Sequence, residues 1–148
     1  MLVIIPCGRA KIWKTCPWAG PTPAKNAYVG APFKVNRDFA EASGARWLIL
    51  SGKYGFLDPD TLIEDYDKAF TLPSSDPIGV TELRRQVREM GLASYGSVVA
   101  LGGSEYSSRV SDAFAGTGVQ VTAPAAGLPI GLAMRRVKEL TARVRVSA

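Results

Sequence analysis

Four short, mostly apolar segments alternate along the chain with longer segments of mixed polarity, and this alternation constrains the fold more than any other feature. Repeated strand–helix alternation is typical of a mostly parallel sheet with right-handed crossovers. We therefore predict a single α/β domain over residues 1–148, with a mostly parallel four-stranded sheet and helices on both faces. The predicted strands are Leu2–Ile5, Arg46–Leu50, Ser97–Leu101 and Val119–Val121. The predicted helices are Pro32–Ala42, Thr81–Met90, Ser104–Ala115 and a fourth that follows Pro124–Gly131 and ends near Arg143.

The chain contains no histidine, and this absence narrows the chemistry that it can perform. Ser-His-Asp triads, imidazole bases and the common zinc hydrolase sites all need histidine. The two cysteines form no CxxC pair or Cys/His cluster, so we expect neither a metal site nor a structural disulfide. Nothing in the sequence indicates a cofactor. Catalysis would then fall to Lys, Asp, Glu, Tyr or Cys side chains, or to backbone groups.

The net charge of +5 favours polyanionic partners such as DNA, RNA or nucleotides, although many small soluble domains are equally basic. The apolar runs are much shorter than a membrane span, and the N-terminal residues show no signal peptide. We therefore expect a cytoplasmic protein without membrane association, with DNA, and alternatively RNA or a nucleotide, as its partner.

Two lysine-bearing loops directly follow predicted strands. The first is Pro6-Cys7-Gly8-Arg9-Ala10-Lys11, and the second is Ser51-Gly52-Lys53-Tyr54-Gly55. In an open parallel sheet, the loops that leave the carboxyl ends of the strands gather at one edge, where ligands bind. We therefore predict that two ammonium groups, a guanidinium and a thiol share one crevice, which suits an anionic, phosphate-bearing ligand.

The second loop is followed by an acidic stretch that ends at Asp67. Carboxylates beside lysines suit proton transfer in an enzyme without histidine, so the candidate catalytic residues are Lys11, Lys53, Asp60 and Asp67. The lysines would neutralise phosphates or, where they are desolvated, act as uncharged nucleophiles. The alternatives are that Asp58-Pro59-Asp60 simply forms a turn and that Lys11 is an ordinary solvated lysine.

Two later strand-end segments carry further candidates. The segment Gly102-Gly103-Ser104-Glu105-Tyr106 lies at a strand-to-helix junction, where backbone amides and a helix N-terminus attract anions. A tight structural turn is the other interpretation of its glycines. The segment 124–131, which includes Gly127, would shape an apolar wall for a flat base, or would only connect a strand to a helix.

Several of these segments resemble the YaaA-like family of small bacterial and phage proteins. The most specific is Leu50-Ser51-Gly52-Lys53-Tyr54-Gly55-Phe56-Leu57 with Pro59-Asp60, which matches a pattern LSxKYGxLxPD. A motif similar to Pro6-Cys7-Gly8 with Lys11 occurs in a domain of archaeosine synthase, which modifies a deazaguanine base in tRNA. Other segments that look like family motifs are Ala27-Tyr28-Val29-Gly30 with Phe33, Glu64, Tyr66-Asp67, Gly103 with Glu105-Tyr106, and Pro124 with Gly127-Leu128 and Ile130-Gly131. The resemblance covers nearly the whole chain and implies a glycosylase-like α/β fold, DNA binding, and a role in oxidative-damage defence or base modification.

We therefore predict a nucleic-acid base-processing enzyme, a DNA glycosylase-like protein that cleaves the N-glycosidic bond of a modified or damaged base. A flipped-out base would stack on an aromatic ring, for which the candidates are Trp13, Tyr28 and Tyr54. Arg9 and the two lysines would hold phosphates or stabilise the departing base, and Asp60 or Asp67 would orient water or stabilise the cationic sugar. The predicted substrate-binding residues are Cys7, Gly8, Arg9, Trp13, Tyr28, Ser51, Tyr54, Gly103, Glu105, Tyr106 and Gly127.

Two other functions fit the same residues. A non-catalytic DNA-binding protein of oxidative-stress defence would show salt-dependent affinity without turnover, with phosphate contacts from the basic fourth helix and the proline-rich loop. An enzyme that acts on free nucleosides or nucleotides, such as a deoxyribosyl transferase, would need a closed pocket and would be indifferent to duplex DNA.

Overall fold

The computed structural model describes residues 1–147, and a five-stranded sheet forms its centre. Four strands of this sheet are parallel, and one edge strand, β4 (Gly55–Leu57), runs antiparallel to its neighbour β3 (Arg46–Ser51). The prediction of a mostly parallel α/β sheet in a single domain is confirmed. The strands, in the spatial order β4-β3-β1-β6-β7, are β1 (Leu2–Pro6), β3 (Arg46–Ser51), β4 (Gly55–Leu57), β6 (Ser97–Ala100) and β7 (Gln120–Thr122), while β2 (Thr22–Pro23) and β5 (Leu62–Ile63) form a separate two-stranded sheet.

Strand β1 occupies the middle of the sheet because it is apolar on both faces. Residues 2–5 are each at most 1% exposed, as is typical of a parallel strand that is covered by helices on both sides. Val3 and Ile5 point into a core that contains Phe33 and Val137, whereas Leu2 and Ile4 point into a second core on the opposite face.

Helices cover both faces of the sheet, as predicted. Helices α3 (Ala31–Ala42) and α6 (Ile130–Ser147) pack together on the face of Val3. Helices α4 (Val80–Glu89) and α5 (Ser104–Phe114) pack together on the face of Leu2. The helices are α1 (Ile12–Thr15), α2 (Ala24–Ala27), α3 (Ala31–Ala42), α4 (Val80–Glu89), α5 (Ser104–Phe114) and α6 (Ile130–Ser147), with 3-10 turns at Pro73–Ser75 and Leu92–Tyr95.

The sheet has one strand more than the four that we predicted. Residues 51–60 were expected to form a loop, but the chain reverses after β3 so that Gly55 pairs with Ser51 and Leu57 pairs with Ile49. The reversal brings Gly52 against the backbone of Lys68, whose carbonyl oxygen would lie 2.6 Å from a Cβ at position 52. A strand of three residues that begins with glycine shows no alternation of polar and apolar side chains, so the sequence pattern did not indicate it.

The connection from β1 to α3, which we expected to be a long loop, contains α1, α2 and β2. Its strand β2 pairs with β5, and the amides of Ala24 and Lys25 donate to the carbonyls of Thr61 and Pro59, each at 2.9 Å. These backbone hydrogen bonds fix the acidic stretch of residues 58–67 against the first loop.

The topology leaves a crevice between the carboxyl ends of β1 and β6. Strand β1 pairs with β3 on one side and with β6 on the other, and the chain continues from β1 and β6 to helices α3 and α5 on opposite faces. Ligands in open α/β sheets bind at such a switch point. Within residues 1–147, no helix is both long and apolar enough to cross a lipid bilayer.

Candidate functional site

A pocket of about 480 Å³ opens at the switch point between β1 and β6. Four chain segments line it, within residues 6–10, 30–36, 102–106 and 125–137. Its volume lies in the usual range of small-molecule sites, about 300–1,000 Å³. The walls are mostly apolar, with Phe33, Ala125 and Val137 among them, so a flat ring can be enclosed with little loss of hydrogen bonds.

Three helices begin at this pocket. The pocket is lined by the residues at these helix starts, which are Gly30 and Pro32 for α3, Gly103 for α5 and Ile130 for α6. The first backbone amides of a helix have no acceptor within the helix, and the helix dipole places partial positive charge there. The exposed Arg9 also lines the pocket, and its guanidinium donates to Thr71 Oγ1 at 3.3 Å. Its positive charge and these N-termini favour an anionic group such as phosphate.

Gly102 permits the tight turn that brings α5 to the pocket. Its φ of +96° lies in a region that other residues rarely adopt, and a Cβ at this position would lie 2.7 Å from Cγ of Pro6. The two strand-end loops can therefore approach each other closely only because residue 102 is glycine.

Asn36 is a polar residue in the pocket that the sequence analysis did not identify. It lies on the apolar face of α3, three residues after Phe33, and is 7% exposed. Its side-chain amide forms no hydrogen bond within residues 1–147. A signal was present in the sequence, because the spacing Phe33, Asn36, Phe39 places this asparagine in the middle of a buried stripe.

Cys7 and Tyr106 face each other in the pocket wall. The Cys7 Sγ atom lies 3.9 Å from Oη of Tyr106, and both residues are half-buried. Burial, and then the neighbouring Cys7, raise the pKa of the Tyr106 phenol, while the positive charge of Arg9 acts in the opposite direction. The phenol is therefore protonated at neutral pH and can donate a hydrogen bond.

A tyrosine cluster, which consists of Tyr28, Tyr54 and Tyr66 with Ser51, lies behind the pocket wall. The hydroxyls of Tyr28 and Tyr66 are 2.6 Å apart, and the fully buried Ser51 donates to Tyr66 Oη at 2.9 Å. Burial is the largest cause of the raised pKa values of Tyr28 and Tyr66, and proximity to Cys7 is the second. The ring of Tyr28 contacts Phe33, which lines the pocket, at a centroid distance of 5.1 Å.

The two lysines of the sequence motifs lie against this cluster. Lys11 Nζ is 4.5 Å from the centroid of the Tyr66 ring, and Lys53 Nζ is 5.1 Å from that of Tyr54. The two rings contact each other edge to face at 5.6 Å, so the ammonium groups lie over adjoining aromatic surfaces. Cation–π contacts of this kind orient a lysine without neutralising its charge.

The structure brings most of the predicted site residues to these two neighbouring places. In the pocket are Cys7, Gly8, Arg9, Gly103 and Tyr106, and in or against the tyrosine cluster are Lys11, Tyr28, Ser51, Lys53 and Tyr54. The prediction that both ammonium groups share one crevice with Arg9 and Cys7 differs from this arrangement, because neither lysine lines the pocket.

Five predicted site residues lie elsewhere. Asp60 is exposed and pairs with Lys25 at 2.6 Å, and its amide donates to Asp58 Oδ1, as expected of a turn. Glu105 pairs with Arg109 at 2.8 Å and does not line the pocket. Trp13 is 7% exposed and donates from Nε1 to the Gly20 carbonyl. Gly127 forms a turn with φ of +80°, and Asp67 is exposed next to Tyr66.

Ring exposure limits where a base can stack. Trp13 and Tyr28 are at most 7% exposed and belong to the hydrophobic core. The half-buried rings of Tyr54 and Tyr106 retain accessible surface, and Tyr106 lines the pocket. No three His, Cys, Asp or Glu side chains gather as a metal site within the part of the chain that the structure describes.

Comparison with known proteins places the chain in a family. A model of the family of unknown function DUF6884 matches residues 2–139, which include the pocket and the tyrosine cluster. The chain belongs to this family. The resemblance to the YaaA-like family stays a prediction.

The chain is also similar to a curated bacterial protein. It is 41% identical over 108 residues to the uncharacterized protein YfjM of Bacillus subtilis, and the match covers 72% of each chain. No solved structure matches the chain.

Proposed function

We propose that this DUF6884 protein processes a base in nucleic acid and cleaves the N-glycosidic bond of a modified or damaged nucleotide in DNA. One observation supports this most strongly, namely the pocket in which apolar walls, an unpaired amide and three helix N-termini meet. A nucleotide has a flat ring, a polar edge and a phosphate, and the pocket offers a complement to each of them.

The base would occupy the apolar part of the pocket after it leaves the duplex stack. Enzymes that act on a base extrude it into a closely fitting site, where aromatic or apolar side chains replace the lost stacking. Phe33 and Val137 supply apolar contact there, and the half-exposed Tyr106 supplies an aromatic ring. The 5′-phosphate would lie towards Arg9 and the amides at the start of α5.

Bond cleavage needs stabilisation of the base that departs with the electron pair of the C–N bond. Tyr106 and Arg9 both line the pocket, and the protonated phenol of the one and the guanidinium of the other would supply it. A water molecule would then attack the cationic C1′ carbon. Neither of the two carboxylates that we predicted for this step lines the pocket, because Asp60 is paired with Lys25 and Asp67 is exposed next to Tyr66. The proton that the water loses would pass to the departing base.

Lys11 and Lys53 would hold the phosphates that flank the extruded nucleotide. Both ammonium groups lie over rings of the tyrosine cluster, and neither lysine lines the pocket. Phosphate contacts of this kind fix the position of the strand and carry no sequence information. The net charge of +5 supports a polymeric substrate.

A second candidate is an enzyme on free nucleotides, such as a deoxyribosyl transferase. Its support is the size of the pocket, about 480 Å³, which encloses a single nucleotide, and the apolar side chains of Leu128 and Ile130 at its rim. Such an enzyme would release or exchange the base of a mononucleotide and would gain nothing from duplex DNA.

The test is base release from DNA. Oligonucleotides that each contain one modified or damaged base are incubated with the protein, and abasic sites and free base are quantified. We expect release from at least one duplex, with strong loss in Tyr106→Phe and Arg9→Gln. Loss of DNA affinity is expected in Lys11→Ala and Lys53→Ala. Lys14→Ala is the matched control, because Lys14 is an exposed lysine of α1 outside the pocket. Absence of release from every duplex, with release from mononucleotides, would favour the second candidate.

A further inference from the structure

The polar atoms of Asn36 are open to the pocket. No buried side-chain nitrogen or oxygen within residues 1–147 lacks a hydrogen-bond partner, and yet the Asn36 amide forms no hydrogen bond there. Its amide atoms must therefore retain accessible surface, and the space that Asn36 lines is the switch-point pocket. Asn36 as a whole is 7% exposed, and it lines a space that a ligand can enter.

An apolar residue at position 36 would make the folded protein more stable. Asn36 lies on the same face of α3 as Phe33, Phe39 and Ala40, each at most 6% exposed. An amide on this face that has no hydrogen-bond partner within the protein stabilises the fold less than an apolar side chain of similar shape would. The amide is therefore better explained by a ligand that completes its hydrogen bonds than by packing.

We infer that Asn36 is the specificity-determining residue of the pocket and that it reads the edge of a nucleobase, an inference that rests on the proposed function. A side-chain amide presents a donor beside an acceptor. It pairs with a base edge on which an acceptor lies beside a donor, as Asn pairs with N6 and N7 of adenine. A phosphate offers only acceptors and leaves the amide oxygen of Asn36 unpaired.

The position of Asn36 along α3 separates the base from the phosphate. Gly30, at the N-terminus of the helix, precedes Asn36 by six residues, which corresponds to about 9 Å along the helix axis at about 1.5 Å per residue. The phosphate would lie at the helix N-termini and the base farther along α3, beside Phe33. Because a mononucleotide carries its base and its phosphate at opposite ends, one molecule can reach both places.

The experiment measures how much the base contributes to binding. The probes are the four 2′-deoxynucleoside 5′-monophosphates and 2-deoxyribose 5-phosphate, which has the sugar and phosphate but no base. Isothermal titration gives the dissociation constants for the wild-type protein, Asn36→Leu and Asn36→Asp. The aspartate variant keeps the shape of the side chain and removes its donor, so it serves as the second variant if the leucine variant does not fold.

We expect at least one nucleotide to bind the wild-type protein more tightly than deoxyribose phosphate. The base preference is the Kd of deoxyribose phosphate divided by the Kd of the nucleotide. This ratio should fall by about 5-fold to about 150-fold in Asn36→Leu and in Asn36→Asp, which is the range for one well-placed bidentate contact. Affinity for deoxyribose phosphate should stay the same in Asn36→Leu. A structural role for Asn36 would not produce this pattern, because it would weaken all the probes together.

The inference is overturned if the wild-type protein binds nucleotides and deoxyribose phosphate equally tightly. It is also overturned if the ratio of the two dissociation constants is the same in both variants as in the wild-type protein. Failure of the proposed function gives a different result. In that case nucleotide binding depends on Asn36, but no oligonucleotide releases a base. If instead bases are released and Asn36→Leu keeps the same base preference, the glycosidic chemistry stands and the assignment of Asn36 is wrong.

Discussion

Cys7 Sγ lies 3.9 Å from Tyr106 Oη, although the two residues are 99 positions apart in the chain. Cys7 directly follows β1, and Tyr106 lies in the first turn of α5, which follows β6. The contact therefore joins the two strand-end loops that border the switch-point crevice. It also places a thiol, which is easily labelled, in the wall of the proposed nucleotide pocket.

The thiol of Cys7 should report occupancy of this pocket. A bound deoxynucleotide is expected to slow alkylation of Cys7 by iodoacetamide by about tenfold at a ligand concentration of about ten times Kd, because only the empty fraction reacts. The second cysteine, Cys16, lies outside the pocket and should react at an unchanged rate. Trypsin separates the two in peptides 1–9 and 15–25, so mass spectrometry measures both rates in one sample. Equal protection of both cysteines, or of neither, would contradict this location of the ligand.

Replacement of Asn36 should make the protein more stable. Asn36→Leu exchanges an unpaired amide for an apolar side chain in the core around Phe33, and we expect a gain of about 1 kcal/mol in the free energy of unfolding. Urea denaturation measures this change. The control is Asn26→Leu, because Asn26 is exposed and accepts a hydrogen bond from Arg37. A loss of stability in Asn36→Leu would show that the amide supports the fold.

Much of the fold follows from sequence pattern, and the reason is visible in β1. Residues 2–5 are apolar without interruption, and only a central strand buries all of them. The edge strand Gly55–Leu57 was missed because it is three residues long and begins with glycine. The short helices and the strand between Pro6 and Gly30 were missed because β2 exists only through its pairing with β5, a contact about forty residues away in the chain.

The site was predictable in position more than in detail. The rule that strand-end loops meet at one edge predicts the approach of Cys7 to Tyr106. The division between a pocket at Arg9 and a cluster at Lys53 depends on the strand order β3-β1-β6, which the sequence does not specify. The ion pair of Asp60 with Lys25 depends on the pairing of β2 with β5, which the sequence pattern does not indicate.

The buried tyrosines should make the fold sensitive to alkaline pH. Burial raises the pKa values of Tyr28, Tyr66 and Tyr106 above their ordinary value of about 10. Below about pH 10, both the folded and the unfolded chain keep these protons, so stability does not depend on these groups. Above it, the unfolded chain releases protons that the folded chain retains. The free energy of unfolding should then fall by up to about 1.4 kcal/mol per pH unit for each tyrosine.

Tyr66→Phe removes one of these groups and should reduce the slope above about pH 10. Urea denaturation at several pH values between about 8 and about 11 gives the slope for both proteins. An identical slope in Tyr66→Phe would mean that Tyr66 ionises equally easily in the folded and unfolded chains.

Asp60 offers a clean test of a predicted catalytic residue, because its structural contribution is small. Asp60→Asn breaks the surface ion pair with Lys25, and such pairs contribute about 0–1 kcal/mol to stability. Lys25→Met breaks the same pair and is the matched control. If both variants release base at the wild-type rate, Asp60 has no catalytic role. If only Asp60→Asn loses activity, the carboxylate itself takes part in the reaction.

Gly102 should be the most sensitive position in the strand-end loops. Gly102→Ala places a Cβ 2.7 Å from Pro6 Cγ at a φ of +96°, and strain of this kind costs about 1–3 kcal/mol. The turn can relieve the contact only if α5 moves away from β1, and this displaces Tyr106 from Cys7. We therefore expect Gly102→Ala to lower both the unfolding midpoint in urea and the affinity for deoxynucleotides.

Gly103→Ala is the neighbouring control, because a Cβ there meets no atom within 4 Å and φ is −76°. Its cost should be below about 1 kcal/mol, as for a change at a helix N-cap. Equal effects of the two substitutions would show that the close approach of Pro6 and Gly102 does not shape the pocket.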